Sequence, residues 1–118
     1  MRRILFVDDD FAVAEVTRMV LEHEGFAVTI AANGEDALVA AETESFDLVI
    51  TDYMMPIMNG GELVKRLRAS PTLRRIPVIM ASATSSNEIA EAEACDGLLA
   101  KPITVDTLLV AIRAILGD

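Results

Sequence analysis

What the sequence lacks narrows the function first. It has one cysteine, Cys95, so no intrachain disulfide can form, and the expected setting is reducing and cytoplasmic. Basic residues are few: 10 Lys and Arg stand against 19 Asp and Glu, for a formal net charge of -9. That balance argues against nonspecific binding to nucleic acid or an anionic membrane, both of which need a net basic face. No apolar run approaches the roughly 20 residues of a membrane span. Arg2-Arg3 followed by Ile4 to Val7 begins like a signal peptide, but Asp8-Asp9-Asp10 cuts the run short. There is no internal repeat, low-complexity stretch or linker, and no Gly-rich phosphate loop after the first apolar run. The lone histidine, His23, sits between Glu22 and Glu24 at a helix end and reads as solvated rather than as a phosphohistidine.

What is present supports one packed domain over residues 1–118, with 53% hydrophobic residues and 25% charged. Short β-rich runs alternate with segments of helical period. Strands are expected at 3–7, 27–31, 47–51, 77–81 and 97–100. Helices are expected at 11–24, 35–43, 62–69, 86–94 and 104–116. In the first helix Val13, Val16 and Val20 form an expected core stripe with Met19 beside them, and Gly25 closes it. The second should bury Ala37, Leu38 and Ala41, and the third Leu63, Val64 and Leu67. The last should bury Val105, Leu108, Ile112, Ile115 and Leu116, with Thr104 as its N-cap. The segment 86–94 has one large apolar residue, Ile89, and should be the least anchored helix. Five such units imply a parallel sheet covered by helices on both faces.

Four polar signals fall where these strands end. Asp8-Asp9-Asp10 follows the first, Asp52 the third, Ser82 the fourth and Lys101-Pro102 the fifth. Ligands of open parallel sheets bind beyond the carboxyl ends of the strands, so these groups should share one pocket. Close carboxylates repel, and a cation relieves that. Oxygen ligands without His or Cys suit Mg²⁺, with Mn²⁺ as an alternative, rather than zinc. Asp52 is the candidate nucleophile toward phosphorus, forming an acyl phosphate. Taken alone, it reads equally as a third metal ligand or a turn-starting Asp. Ser82 could hydrogen-bond a phosphoryl oxygen, though serine near a strand end is common. Lys101, on a short tether from the sheet, could offset phosphoryl charge or simply pair with a nearby acid. Its X-Pro bond is a place where a cis peptide can turn the ammonium inward.

Phe6-Val7-Asp8-Asp9-Asp10, the run Asp52-Tyr53-Met54-Met55-Pro56-Ile57-Met58-Asn59-Gly60, Ser82-Ala83 and Lys101-Pro102 together resemble the receiver domain of two-component response regulators, over residues 3–116. Stand-alone regulators such as the chemotaxis one are similar to the whole chain. The resemblance implies a flavodoxin-like (βα)₅ fold with strand order 2-1-3-4-5, and because the stretch from Ser82 to Lys101 is shorter than is usual in the family, a shortened fourth helix is expected. It implies Asp52 as phosphoacceptor, and Asp8, Asp9, Asp52 and the Met54 backbone carbonyl as Mg²⁺ ligands. Lys101 takes the position of the family's invariant lysine, and Ser82 that of its switch hydroxyl. The implied donor is a sensor histidine kinase or histidine phosphotransfer protein. The implied output face combines residues 86–94, the fifth strand and the last helix, which is also a candidate dimer surface.

The chain departs from the family where an aromatic residue usually stands three positions before the lysine. Here it is Leu98, so the second switch position cannot report through an aromatic rotamer. The expectation is that segment 83–97 switches by order and disorder. On this reading the chain is no enzyme beyond its own phosphoryl transfer and loss. An aspartyl-phosphate hydrolase would carry a second Asp two residues after the nucleophile, where Met54 stands. A phosphorylation-independent scaffold or flavin-type module on the same fold is the other alternative.

Overall fold

The five strands alternate their side chains between two cores. The computed structural model describes residues 1–83 and 94–117. Its strands are β1 (Arg3–Val7), β2 (Ala27–Ala31), β3 (Leu48–Asp52), β4 (Val78–Ser82) and β5 (Gly97–Ala100), all parallel in the order β2-β1-β3-β4-β5. Among the described residues there are four helices, α1 (Phe11–His23), α2 (Gly34–Thr43), α3 (Gly60–Ala69) and α4 (Val105–Leu116). This is the expected flavodoxin-like arrangement. The helix expected over 86–94, the output face built on it and most of the 83–97 segment lie outside the described residues.

The strand period of two sorts the core. Leu5, Val7, Val49, Val78 and Met80 pack on one face with Ala37, Ala41, Leu63, Val64 and Leu67 of α2 and α3. Ile4, Phe6, Leu48, Ile50 and Ile79 pack on the other with Ala14 and Leu21 of α1 and Leu108, Leu109 and Ile112 of α4. Burial on both faces is why β1, β3 and β4 read as unbroken apolar runs. β3 and β4 each run one residue past the expected end, because Asp52 pairs with Ala81, and Ser82 with Ala100, in the ladder.

Each helix start is capped by the residue before it. Asp10, Asn33, Asn59 and Thr104 accept from the backbone N–H three residues on. The Asn59 cap starts α3 two residues before the expected Glu62. Gly25 follows α1 at φ +97°, as its closing role requires.

The expected core stripe of α1 is corrected. Val13, Val16 and Met19 are 48%, 61% and 65% exposed, and the buried residues are Ala14 and Leu21. Ala14 and Leu21 are seven residues apart, as close to helical period as the valines are. The small Ala14 lets the helix approach the sheet where a valine could not. In α4, Val105 is likewise 47% exposed and Leu109 is buried instead. Of the basic residues Lys65, Arg66 and Arg68 on α3 and Arg74 and Arg75 after it, Arg68 acts as a clamp. Arg68 donates to the carbonyls of Arg74, Ile76 and Ala94 and to Asp96, which also accepts from the Val78 N–H. No helix among the described residues is long and apolar enough to cross a membrane.

Candidate functional site

β1 and β3 are neighbours, so their C-terminal ends deliver Asp8 and Asp52 side by side. Asp8 continues the parity of Ile4 and Phe6, and Asp52 that of Leu48 and Ile50. Both therefore tend to the α1–α4 side of the sheet. Asp9 follows the strand, where alternation relaxes, and joins them: one carboxylate oxygen from each of Asp8, Asp9 and Asp52 lies within 4.8 Å of the others. The third acid of the run, Asp10, does not join. Its carboxylate accepts from Val13 N–H at 3.2 Å to cap α1, while its own N–H donates to Asp8 Oδ1 at 2.9 Å.

Lys101 arrives from the other side. Its backbone N–H donates to the Ser82 carbonyl at 2.8 Å, and its Nζ lies 2.6 Å from Asp52 Oδ1. The Lys101-Pro102 peptide is cis. Asp52 is only 9% exposed. Its Oδ1 has the ammonium as an ion-pair partner, yet no donor among the described residues is aimed at it in hydrogen-bond geometry. A buried carboxylate oxygen held this way, beside two more carboxylates and no nitrogen or sulfur ligand, fits a hard divalent cation.

Burial pushes the Asp8 carboxyl above its ordinary value of 3.8, the Asp10 N–H opposes this, Asp52 and Asp9 add to the rise, and Lys101 opposes it. A carboxyl with a raised folded-state pKa holds its proton to higher pH when folded than when unfolded. The cation-free protein therefore loses stability as pH climbs from the ordinary value through the raised one. Asp8→Asn removes that cost. In chelator at neutral pH the variant is expected to melt a few degrees above wild type, and Mg²⁺ is expected to raise its melting temperature less. A lower melting temperature in chelator would show that Asp8 is not under strain from its neighbours.

Ser82 is fully buried at the end of β4, one strand from Asp52. Leu98 lies on β5, paired with Met80 and 38% exposed. Met54 lies in the β3–α3 loop and is 64% exposed, while Met55 and Met58 are buried as loop packing. His23 ends α1, away from the pocket. Burial pushes the Cys95 thiol up to about 11, with Arg68 opposing and Asp96 adding, so it stays protonated at neutral pH.

Two residues, one in the β3–α3 loop and one at the start of α3, carry no chemical signal in the sequence. A Cβ on Gly60 would sit 2.6 Å from the Asp52 carbonyl oxygen and 2.9 Å from Tyr53 Cα. In the sequence, Pro56 and Asn59-Gly60-Gly61 mark only a loop. Ile57 holds φ +72° while 96% exposed. A β-branched residue there costs roughly 1–2 kcal/mol. Ile57→Gly sacrifices no packing and is expected to stabilise the protein by about 1 kcal/mol, net of glycine's greater unfolded-state freedom. A urea midpoint that stays put or falls would exclude this strain.

Comparison with known proteins gives a consistent match. A family model described as the response regulator receiver domain matches residues 4–113. The chain is 37% identical over 115 residues to the response regulator MprA of Mycolicibacterium vanbaalenii, covering 97% of this chain and 50% of that protein. It spans about half the length of the curated relatives it matches. The chemotaxis response regulator CheY4 of Vibrio cholerae superposes with a TM-score of 0.91 at 34% identity, covering 98% of this chain and 99% of the other. TrrA of Thermotoga maritima, solved in complex with Mg²⁺-BeF, superposes at 0.88 with 30% identity, covering 98% and 100%.

Proposed function

We propose that this chain, which belongs to the response regulator receiver domain family, accepts a phosphoryl group on Asp52 in a Mg²⁺-dependent reaction and thereby switches its binding to a partner. The observation that carries the reading is the Asp52 carboxylate: nearly buried, paired with Lys101 and grouped with Asp8 and Asp9. TrrA, a structural relative bound to Mg²⁺-BeF, supports the same chemistry.

Asp8, Asp9, Asp52 and the Met54 carbonyl would hold the cation, which would offset charge on the phosphoryl oxygens when bound. An Asp52 oxygen attacks phosphorus as the P–N bond of the donor's phosphohistidine breaks, the imidazole leaving with the electron pair, and the carboxylate becomes the acyl phosphate. To do so it gives up its contact with Lys101, whose ammonium moves to a phosphoryl oxygen. Ser82 would supply a hydroxyl to another phosphoryl oxygen, and this displacement of the β4 end is the signal. Leu98, aliphatic and half-exposed, adds no aromatic rotamer to it. Water later hydrolyses the acyl phosphate, so the protein acts on itself and releases no other product. The donor is a histidine kinase or histidine phosphotransfer protein acting in the cytoplasm. The output partner, or a second copy, reads the face of β5 and α4.

The test is intact mass after incubation with Mg²⁺ and phosphoramidate or acetyl phosphate. One added phosphoryl group, absent in chelator, is the expected result. No uptake from either donor or from a phosphorylated histidine protein would overturn the reading.

A further inference from the structure

The loop between Asp52 and Gly60 is held in a form that its own backbone resists. Its ends are tied: the Tyr53 N–H donates to the Ala81 carbonyl at 2.9 Å, and the Gly60 N–H donates to the Tyr53 carbonyl at 2.7 Å. Midway, the Met58 N–H donates to the Pro56 carbonyl at 2.8 Å and closes a three-residue turn around Ile57. With Ile57 at φ +72°, that turn has its rare and strained hand. The Ile57 side chain, 96% exposed, makes no packing that offsets the strain. A strained turn persists only where its surroundings over-determine it. Met58, the next residue, is 4% exposed and sits in the core shared by α2 and α3. Its seat is the first residue of α2. A Cβ on Gly34 would lie 2.6 Å from Met58 Sδ, 3.0 Å from Cγ and 3.1 Å from Cβ. Successive atoms of the side chain are that close, so rotation about one bond does not clear the contact. Gly34 is helical, without a positive φ, where alanine would otherwise be favoured. The glycine is there for Met58.

We infer that Met58 and Gly34 are positioning residues for the cation: Met58, seated on Gly34, holds the loop so that the Met54 carbonyl is in place before Mg²⁺ arrives. The inference rests on the acceptor reading above and names what sets one of its ligands. Asp8, Asp9 and Asp52 stand at the ends of β1 and β3 or just beyond them, where paired strands fix their backbone. Met54 has no such support, since it lies in the loop and its side chain is exposed. Its carbonyl is placed by the path of the loop, and Met58 sets that path. Without the anchor the turn relaxes, and cation binding then carries the entropy cost of ordering the loop. Neither Met58 nor Gly34 would touch the cation.

The test is the dissociation constant of Mg²⁺ alone, measured by calorimetry on the unphosphorylated whole chain. In Met58→Ala it is expected to rise about tenfold, as when a residue that supports a metal ligand is lost. Met58→Leu keeps most of the apolar volume and is expected to stay within about twofold of wild type. Gly34→Ala leaves the methionine present but unseats it, and is expected to raise the constant about tenfold as well. It carries the test if Met58→Ala does not fold. In the double variant the new methyl takes the space that the sulfur left, so its constant is expected to equal that of Met58→Ala. Leu73→Ala is the control. Leu73 is buried in the same core but precedes β4, away from the strand ends that carry the site, so its loss should lower stability and leave Mg²⁺ binding unchanged. Unchanged binding in folded Met58→Ala or Gly34→Ala would overturn the inference. Losses that multiply in the double variant would also overturn it, since the two residues would then act separately. So would an equal loss in Leu73→Ala, which would make the effect a general softening. A wild-type chain that binds no Mg²⁺ would overturn the cation reading, and this inference with it.

Discussion

Asp52→Asn is expected to take up no phosphoryl group from any donor, a loss of at least about a thousandfold in rate. The side-chain amide of asparagine is a poor nucleophile toward phosphorus and cannot form the acyl phosphate. The substitution changes little else. It keeps the shape of a residue nearly buried at the end of β3, and it removes one negative charge from a cluster of three carboxylates. Lys101 loses its partner, but its side chain is 43% exposed and can be hydrated. The variant should therefore fold and melt no lower than wild type without cation, which separates lost chemistry from lost structure. Intact mass and a thermal melt, run side by side, check both. Phosphoryl uptake that persists in a folded Asp52→Asn protein would move the acceptor to Asp8, Asp9 or a site elsewhere, and peptide mapping would find it.

Gly60→Ala is expected to cost about 3 kcal/mol of stability and most of the acceptor activity. The added methyl meets backbone, the Asp52 carbonyl oxygen at 2.6 Å and Tyr53 Cα at 2.9 Å, and neither can rotate away as a side chain would. The Gly60 N–H also donates to the Tyr53 carbonyl at 2.7 Å, so the start of α3 is tied to the end of β3. Relief requires α3 to withdraw or β3 to shift, and either moves the Asp52 carboxylate relative to Asp8 and Lys101. A urea midpoint and the rate of phosphoryl uptake read the two effects separately. Unchanged stability would mean that α3 slides freely. A stability loss with full activity would mean that Asp52 holds its place without the contact.

The order of elements and the acids were readable because each rests on a local signal. Apolar runs bounded by turns mark β1, β3 and β4, and an unbroken run says that both faces are covered. Asn33, Asn59 and Thr104 cap helices within three residues of themselves. The carboxyl ends of parallel neighbours lie together, so the topology gathers Asp8 and Asp52, while Lys101, two strands from β3, reaches Asp52 on its long side chain. Local signals misled for α1. Two stripes compete there, and the more apolar one, Val13, Val16 and Met19, is the exposed one.

The sequence by itself determined the fold class, the alternation of strands and helices, the acidic pocket and the lysine that faces it. Those follow from hydrophobic period, caps and strand ends, all of which act over a few residues. Only the tertiary structure decided three further matters. Asp9 joins the carboxylate group while Asp10 turns away to cap a helix. The backbone of Asp52 presses on Gly60. Val13 and Val16 of α1 and Val105 of the last helix stay exposed instead of joining the core. The last two depend on how closely a helix packs on its neighbouring elements, a distance set by small residues such as Ala14 and Gly60.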